Sequence, residues 1–551
     1  MGGKTVSNDK EKADIFAKML SETFSGKTYE NDFDNNFKKE IEDYVNSLNM
    51  DEVDYEEISM NELKFAIKTL RFQAAPGIDN VNNILLKGLS ENFLEVVRKL
   101  FNKCLSTGEW PKNWKHSKIT MIPKKSDNKQ DPTNYRPISL TSCIGKLLEK
   151  IIKRRLSDFL EENNLIASCQ SGFRAHRRTT DNLFFLTQKI KESFNKGKRV
   201  CGLFFDIAKA FDRVWHKGLI YKMSKMGIPM YIIRLVYSFL GNRTFVVDID
   251  GEISEMYRIE TGVPQGAVLS PLLFSIFIND IPMNSNRNQS ESMLFADDLA
   301  TLIFFKGSKE AKRIAQNYLN KLEEWLFKWR MKMAVNKCNY IIFCKKDKKE
   351  EFNLVMNGQN IPQTKEILFL GVLLDHKLNF KCQVSRMRAK CAQRLNIIKI
   401  LSHKWWKIAK KTLINIYRAL IGSIIEYSFF IVSCISLDLI YKLQANQNRA
   451  MRSVFGLKFD PVAKKMPSSE LVREKSGLQG VYLRLHELNI RFLSKAIIYN
   501  PFIIKLCTEY KEGISSIRRS GSEKTPLCVL EPVVLILLKA HNEYLSYIYF
   551  M

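Results

Sequence analysis

The chain has 551 residues, 45% of them hydrophobic, with 86 Lys and Arg against 58 Asp and Glu for a formal net charge of +28. This excludes a disordered chain and a single small domain; two to four domains with sizeable cores are expected. So large a basic excess costs self-repulsion and points to a polyanionic partner, nucleic acid before a membrane surface.

The first 62 residues run against the average, with 7 Lys and Arg and 16 Asp and Glu. They read as acidic helices and linkers. The opening "MGGKTVSNDKEKADIF" has no apolar signal core, and Val6 stands where a myristoylation pattern needs Ser or Thr. The eleven cysteines form no C-x-x-C pair, which argues against a zinc ribbon and a disulfide framework. An intracellular, reducing compartment is expected. The longest apolar stretch, near 427–436, is too short to span a bilayer, so no membrane is expected among the partners.

From Leu63 the pattern turns globular. "AAPGIDNV" (74–81) predicts a Pro-Gly turn between helices, and 84–108 has helical periodicity up to Gly108. "SKITMIPKK" (117–125) predicts a strand, followed by a polar loop and "YRPISL" (135–140). Ile144, Leu147, Leu148, Ile151, Ile152, Leu156, Phe159 and Leu160 recur at helical spacing. "RVCGLFFDIAKAFDRVW" (199–215) opens as an apolar strand that meets Asp206 and then changes to helical spacing. The segment 244–260 alternates around a Gly turn as a hairpin would. "TGVPQGAVLSPLLFSIFINDI" (261–281) reads as a Gly-Pro-Gly loop feeding an apolar helix.

"SMLFADDLATLIFF" (292–305) then sets two carboxylates in an apolar run, where an unpaired charge is costly. Adjacent strand residues face opposite sides, so Asp297 and Asp298 converge only at a hairpin turn. An amphipathic helix with Ile314, Tyr318, Leu322, Trp325 and Trp329 on one face follows, then "NYIIFC" (339–344) and the tight segment 367–380. The run 345–351 reads as a solvated loop. Residues 376–455 are helical and basic, with 15 Lys and Arg and 2 Asp and Glu. With Trp405, Trp406, Tyr417 and Tyr427 among its lysines, such a segment can track a duplex backbone by charge and stack on exposed bases. The aromatics are nonetheless expected to be core in most cases, and the charge is the stronger signal.

Asp206 and the Asp297–Asp298 pair each end or interrupt an apolar strand. Gathered at one edge they would offer hard oxygen ligands suited to Mg²⁺. Two such ions about 4 Å apart activate a 3′ hydroxyl and stabilise leaving pyrophosphate. "PQG" (264–266) offers backbone N–H groups and Gln265 near a nucleotide, and Lys124 and Arg136 flank a strand–turn–strand that can clamp a triphosphate. Together these suit phosphoryl transfer on nucleotides.

"FDIAKAFDRV", "GVPQGAVLSPLLF", "FADD", "VNKCNYIIF" and "FLGVLLD", with "AAPGIDNV", "IPKK…NYRPISLT" and "QSGFRAHRRTTDNL" upstream, resemble the reverse transcriptases of non-LTR retrotransposons, the LINE-like and jockey-like group, over 63–455. The resemblance implies an α+β right-hand polymerase fold: fingers (63–198), a palm with an antiparallel sheet (199–375) and a helical thumb (376–455). An acidic extension (1–62) would precede these, and a C-terminal helical region (456–551) would follow. It implies an RNA-directed DNA polymerase that adds dNTPs to a DNA primer on an RNA template, with Mg²⁺, or Mn²⁺ in its place.

Asp206, Asp297 and Asp298 would be the metal ligands, and Lys337 would protonate pyrophosphate. Lys124 and Arg136 would hold the triphosphate, Phe211 would close against the ribose 2′ position, Gln265 would line the nucleotide pocket, and Arg174 would touch template or nucleotide. Asn80 and Cys338 depart from the family pattern, away from the metal site. An upstream endonuclease is not expected within the acidic segment 1–62, nor an RNase H carboxylate cluster after 456. The nucleus is the expected compartment for integration, without a clear import signal. Two other readings stay open: an inactive or domesticated RNA-binding derivative, and an intron maturase-like protein.

Overall fold

The computed structural model describes residues 6–26, 33–50, 54–124, 128–283, 289–346, 350–462, 464–517 and 525–550. Part of the polar loop after Lys124 and part of the charge run 345–351 lie outside these residues. Strands are numbered here in chain order: β1 (His116–Pro123), β2 (Tyr135–Leu140), β3 (Arg199–Phe205), β4 (Arg243–Ile249), β5 (Glu252–Ile253), β6 (Tyr257–Ile259), β7 (Ser290–Phe295), β8 (Asp298–Phe305) and β9 (Asn339–Phe343). The chain divides into two compact units, the first comprising Met1–Phe173, Asp206–Pro282 and Leu319–Ala334 and the second the remainder.

In the first unit β1 is central. It pairs antiparallel with β2, from Lys118↔Leu140 to Pro123↔Tyr135, and parallel with β4, from His116↔Thr244 to Thr120↔Asp248. β4 reverses through Asp250 and Gly251, both at positive φ (51° and 97°), into β5, and it also pairs with β6. The helix Asp9–Phe24 is capped by the Asn8 side chain, which accepts from the Lys10 N–H. Its Ala13, Ala17, Leu20 and Phe24 are buried against Ile119, Met121, Phe245, Val247 and Ile259. Burying side chains such as Leu20 and Phe24 contributes about 1.5–3 kcal/mol each. The helix end is tied down as well, since the Phe24 carbonyl accepts from the Glu260 and Thr261 N–H groups, each at 3.0 Å.

A second helix, Asn35–Ser47, reaches the same unit through Phe37, edge-on to Trp329, and Tyr44, edge-on to Tyr221. Beneath them Lys222 is buried. Its Nζ lies 3.5 Å from the Trp329 ring centroid and bonds to the Phe277 carbonyl and Asp280. Burial pushes this ammonium down to about 7.

The second unit holds an antiparallel sheet in the order β7-β8-β3-β9. β3 and β8 are almost wholly buried, which explains why both read as continuous apolar runs and not as alternating strands. Gly202 at the middle of β3 is required by space: a Cβ there would stand 2.9 Å from the rings of both Phe204 and Phe343. The hairpin of Glu366–Phe369 and Val372–Asp375 follows. The Asp375 carboxylate accepts from the Lys377, Asn379 and Phe380 N–H groups and starts the helix Lys381–Leu401. That helix packs with Leu437–Phe455 and later helices into one large core. No helix among the described residues is long and apolar enough to cross a membrane.

Candidate active site

β7 and β8 pair from Ser290↔Ile303 to Phe295↔Asp298, leaving Ala296 and Asp297 as a two-residue turn. Ala296 has φ 56°, a conformation the first position of such a turn usually gives to glycine. Holding it there costs on the order of 1–2 kcal/mol, the kind of strain that collects at functional sites. The arrangement answers the puzzle of the carboxylates. Met293, Leu294, Leu299 and Ala300 are buried, whereas Asp297 in the turn is half-buried and Asp298 at the start of β8 is exposed. Both stand at the end of the sheet and not within its buried ladder.

β3 ends at Phe205, the register partner of Leu299. Asp206 follows directly in the chain and belongs to the first unit. Its carbonyl accepts from the Ala334 N–H at 2.9 Å, Ile207 forms a bridge with Met333, and the Ala208 N–H donates to the Lys332 carbonyl. The carboxylates have the hard oxygen chemistry that Mg²⁺ and Mn²⁺ take. Among the described residues, however, no three His, Cys, Asp or Glu side chains gather into a group that could hold a metal ion.

The first unit contains a second cluster around Gln265. The Gln265 carbonyl accepts from the Ser139 N–H of β2 at 2.7 Å. Gly266 has φ 114°, and a Cβ on it would stand 2.8 Å from the Ser139 carbonyl oxygen. The buried Glu149 carboxylate accepts from the Val268 and Leu269 N–H groups and holds the start of the helix Ser270–Phe277. The loop is further joined to the turn after Asp206: Val263 N–H donates to the Phe211 carbonyl at 2.8 Å and Gly262 N–H to the Val214 carbonyl at 2.9 Å. Between them the Gln265 side-chain Nε2 donates to Asp212 Oδ1 at 2.8 Å. Burial pushes the Asp212 carboxyl up to about 6, against the Gln265 hydrogen bond and the charges of Lys209, Lys124 and Arg213. Because a carboxylate only accepts, this bond turns the Gln265 amide oxygen away from Asp212.

Of the residues singled out from the sequence, the structure groups Gln265 and Phe211 in the first unit, with Lys124 near enough for its charge to act on Asp212. Phe211 is half-buried, stacked on Phe274 at 4.7 Å and edge-on to Phe173 at 6.1 Å. Lys124 Nζ donates to the Thr133 carbonyl. Arg136 is exposed on β2, paired with Ile122. Asp297 in the turn and Asp298 next to it on β8 lie in the second unit, to which half-buried Arg174 and exposed Lys337 also belong. Lys337 ends the short helical turn Val335–Lys337, and its carbonyl accepts from the Asn339 side chain.

Residues 122–374 match the family model "Reverse transcriptase (RNA-dependent DNA polymerase)". This segment is a reverse transcriptase domain. The chain is 29% identical over 451 residues to "RNA-directed DNA polymerase from mobile element jockey" of Drosophila melanogaster, covering 81% of this chain and 49% of that one. It is 30% identical over 459 residues to "Probable RNA-directed DNA polymerase from transposon BS" of the same species, covering 82% and 50%. The chain therefore spans about half the length of these curated relatives. Among solved structures it is similar to apo telomerase from Candida tropicalis, at 12% identity over 81% of this chain and 74% of that one, with a TM-score of 0.38.

The reverse transcriptase domain contains every candidate residue from Lys124 to Lys337, together with one that sequence reasoning passed over. Asp212 lies inside the quoted "FDRV", and the signal available was a second carboxylate six positions after Asp206 in an apolar setting. The role of the helix Asp9–Phe24 in covering the sheet of β1 and β4 was also missed, because its apolar face is narrow and set among charges.

Proposed function

We propose that the chain is the RNA-directed DNA polymerase of a non-LTR retrotransposon, extending a DNA primer on an RNA template with dNTPs. The observation that supports this most is the reverse transcriptase domain over 122–374, which includes the whole candidate set. In this reading the domain supplies fingers and palm, and the basic helices after 376 are the thumb. Asp206, Asp297 and Asp298 would hold the divalent ions, whose chemistry is to acidify the primer 3′ hydroxyl and neutralise charge on pyrophosphate.

The chain's own side chains do the rest. Lys124 and Arg136 bind the triphosphate, Arg bidentately. Arg174 touches template or nucleotide, and Lys337 delivers a proton to pyrophosphate. Gln265, with its amide oriented by Asp212, presents an acceptor to the nucleotide, and Phe211 meets the sugar. Purified protein with a homopolymer template, a short primer, dNTPs and Mg²⁺ should incorporate nucleotide. An RNA-binding derivative or a maturase-like protein would bind the template and incorporate nothing.

The sugar contact is testable separately. Phe211→Val should raise kcat/KM for rNTPs relative to dNTPs by about ten- to a hundredfold, since one lost contact in a closed pocket is worth about 1–3 kcal/mol of discrimination. An unchanged ratio in a folded enzyme would leave Phe211 as packing for Phe274.

Asp212 gives a pH prediction. Its folded carboxyl is raised to about 6, above the ordinary aspartate value of about 4. The folded chain thus keeps this proton between about pH 4 and 6 while the unfolded chain loses it, so the group favours folding at low pH and that contribution is lost as pH rises through 6. For binding, the direction reverses. Above pH 6 the carboxylate fixes the Gln265 amide; below it the protonated acid can donate to Gln265 instead. KM for dNTP should therefore rise as pH falls through about 6, and Asp212→Asn should remove that step from the profile.

A further inference from the structure

Trp405 is 87% exposed and Trp406 58% exposed, whereas Trp110, Trp215, Trp325 and Trp329 are each at most 7% exposed. Tryptophan is normally buried over most of its surface. Neither indole makes a ring contact among the described residues. The two sit on a short turn, Lys404–Trp406, between the helices Lys381–Leu401 and Lys410–Tyr417. The turn is held by its own bonds: the His403 ring accepts from the Trp405 N–H at 3.4 Å, the His403 carbonyl accepts from the Trp406 N–H at 3.1 Å, and Lys407 closes it at φ 46°. Successive residues of a three-residue turn project about 120° apart. Each indole therefore offers a face of its own.

The chain on either side of the turn is cationic. Lys404, Lys407, Lys410 and Lys411 are all exposed. From 376 to 425 the chain has twelve Lys and Arg and not one Asp or Glu. Charge alone would attract any polyanion. Exposed indoles add something a duplex cannot use, because its base faces are already covered by their neighbours, while an unpaired base offers a free face.

We propose that the turn 403–407 is a binding site for the unpaired bases of single-stranded nucleic acid, with Trp405 and Trp406 as stacking platforms and Lys404 and Lys407 as backbone contacts. The polymerase reading is used only to choose nucleic acid as the ligand class, and binding is measured here without dNTPs or turnover. The full chain is titrated with an oligo(dT) single strand, an oligo(rU) single strand and a blunt duplex of equal length, following intrinsic tryptophan fluorescence and anisotropy of a labelled strand.

The expected result is that a single strand quenches the fluorescence and that Trp405→Ala with Trp406→Ala abolishes the quench. The pair of substitutions should weaken single-strand binding by about ten- to a hundredfold and leave duplex binding within about twofold. Trp405→Phe with Trp406→Phe should retain most of the affinity. Comparing the two homopolymers tells whether the strand is DNA or RNA, and either polymer meeting these criteria supports the site. Equal losses for single strand and duplex, or no loss for either, would overturn it. So would a variant that keeps single-strand affinity but loses self-association seen by sedimentation, since the indoles would then cover a second copy of the chain.

Discussion

Asp297→Asn should lower dNTP incorporation by on the order of a thousandfold, equivalent to about 4 kcal/mol of lost transition-state stabilisation, with RNA affinity nearly unchanged. The substitution isolates charge from shape. Asp297 occupies the second position of the two-residue turn between β7 and β8, and Asn is well tolerated in turns of this kind. The sheet beneath the turn is held by the β7–β8 ladder and by buried Met293, Leu294, Leu299 and Ala300, none of which is altered. What changes is a hard anionic ligand becoming a neutral amide. Single-turnover extension on a primed template gives the rate, and filter binding gives the RNA affinity. Incorporation within about tenfold of the parent would remove Asp297 from the chemistry. A parallel loss of RNA binding would show instead that the turn had been disrupted.

Gly266→Ala is expected to be nearly as damaging through geometry alone. At φ 114° only glycine is comfortable, and the new Cβ would stand 2.8 Å from the Ser139 carbonyl oxygen. That neighbour is backbone, fixed within β2, so the loop and not the strand must yield. Relief requires breaking the Ser139–Gln265 backbone bond of 2.7 Å, which carries Gln265 away from its bond to Asp212. Strain and the lost bonds together amount to about 2–4 kcal/mol. Extension should fall about a hundredfold, mainly through a higher KM for dNTP, with a Tm shift of only a few degrees because the sheet core is untouched. A normal KM would mean that the loop has another conformation open to it.

Much of the frame could be read from residue pattern. β1 was expected at 117–125 and lies at His116–Pro123, β2 falls on the expected residues, and the paired aspartates sit at the hairpin turn that strand alternation required. These features rest on local rules. Other features depend on contacts that no local pattern encodes. The parallel pairing of β1 with β4 joins segments more than a hundred residues apart in the sequence. The helical pattern over 84–108 is in fact two helices, Asn83–Lys87 and Glu91–Thr107, because Gly88 and the new cap at Ser90 interrupt it. The 3.6-residue spacing expected after Asp206 yields only a short turn at Phe211–Arg213, since the segment is bonded to the 261–265 loop. Tyr417 is buried as expected of a core aromatic. Trp405, Trp406 and Tyr427 are exposed instead, because periodicity reports which residues share a face but not what covers it.

The helix Asp9–Phe24 has a practical consequence for anyone seeking a minimal soluble fragment. A fragment trimmed to 122–374 would start inside β1 and would discard the strand residues His116–Thr120 that pair with β4. It would also strip the helix from Phe245, Val247 and Ile259. The trimmed protein would then carry an apolar sheet face beside an open strand edge, the combination that drives chains to pair with one another and precipitate. Restoring 116–121 would mend the edge and leave the face bare. The shortest fragment able to stay in solution is therefore set by a helix about a hundred residues upstream of the matched segment, and trimming from that end exchanges size for aggregation.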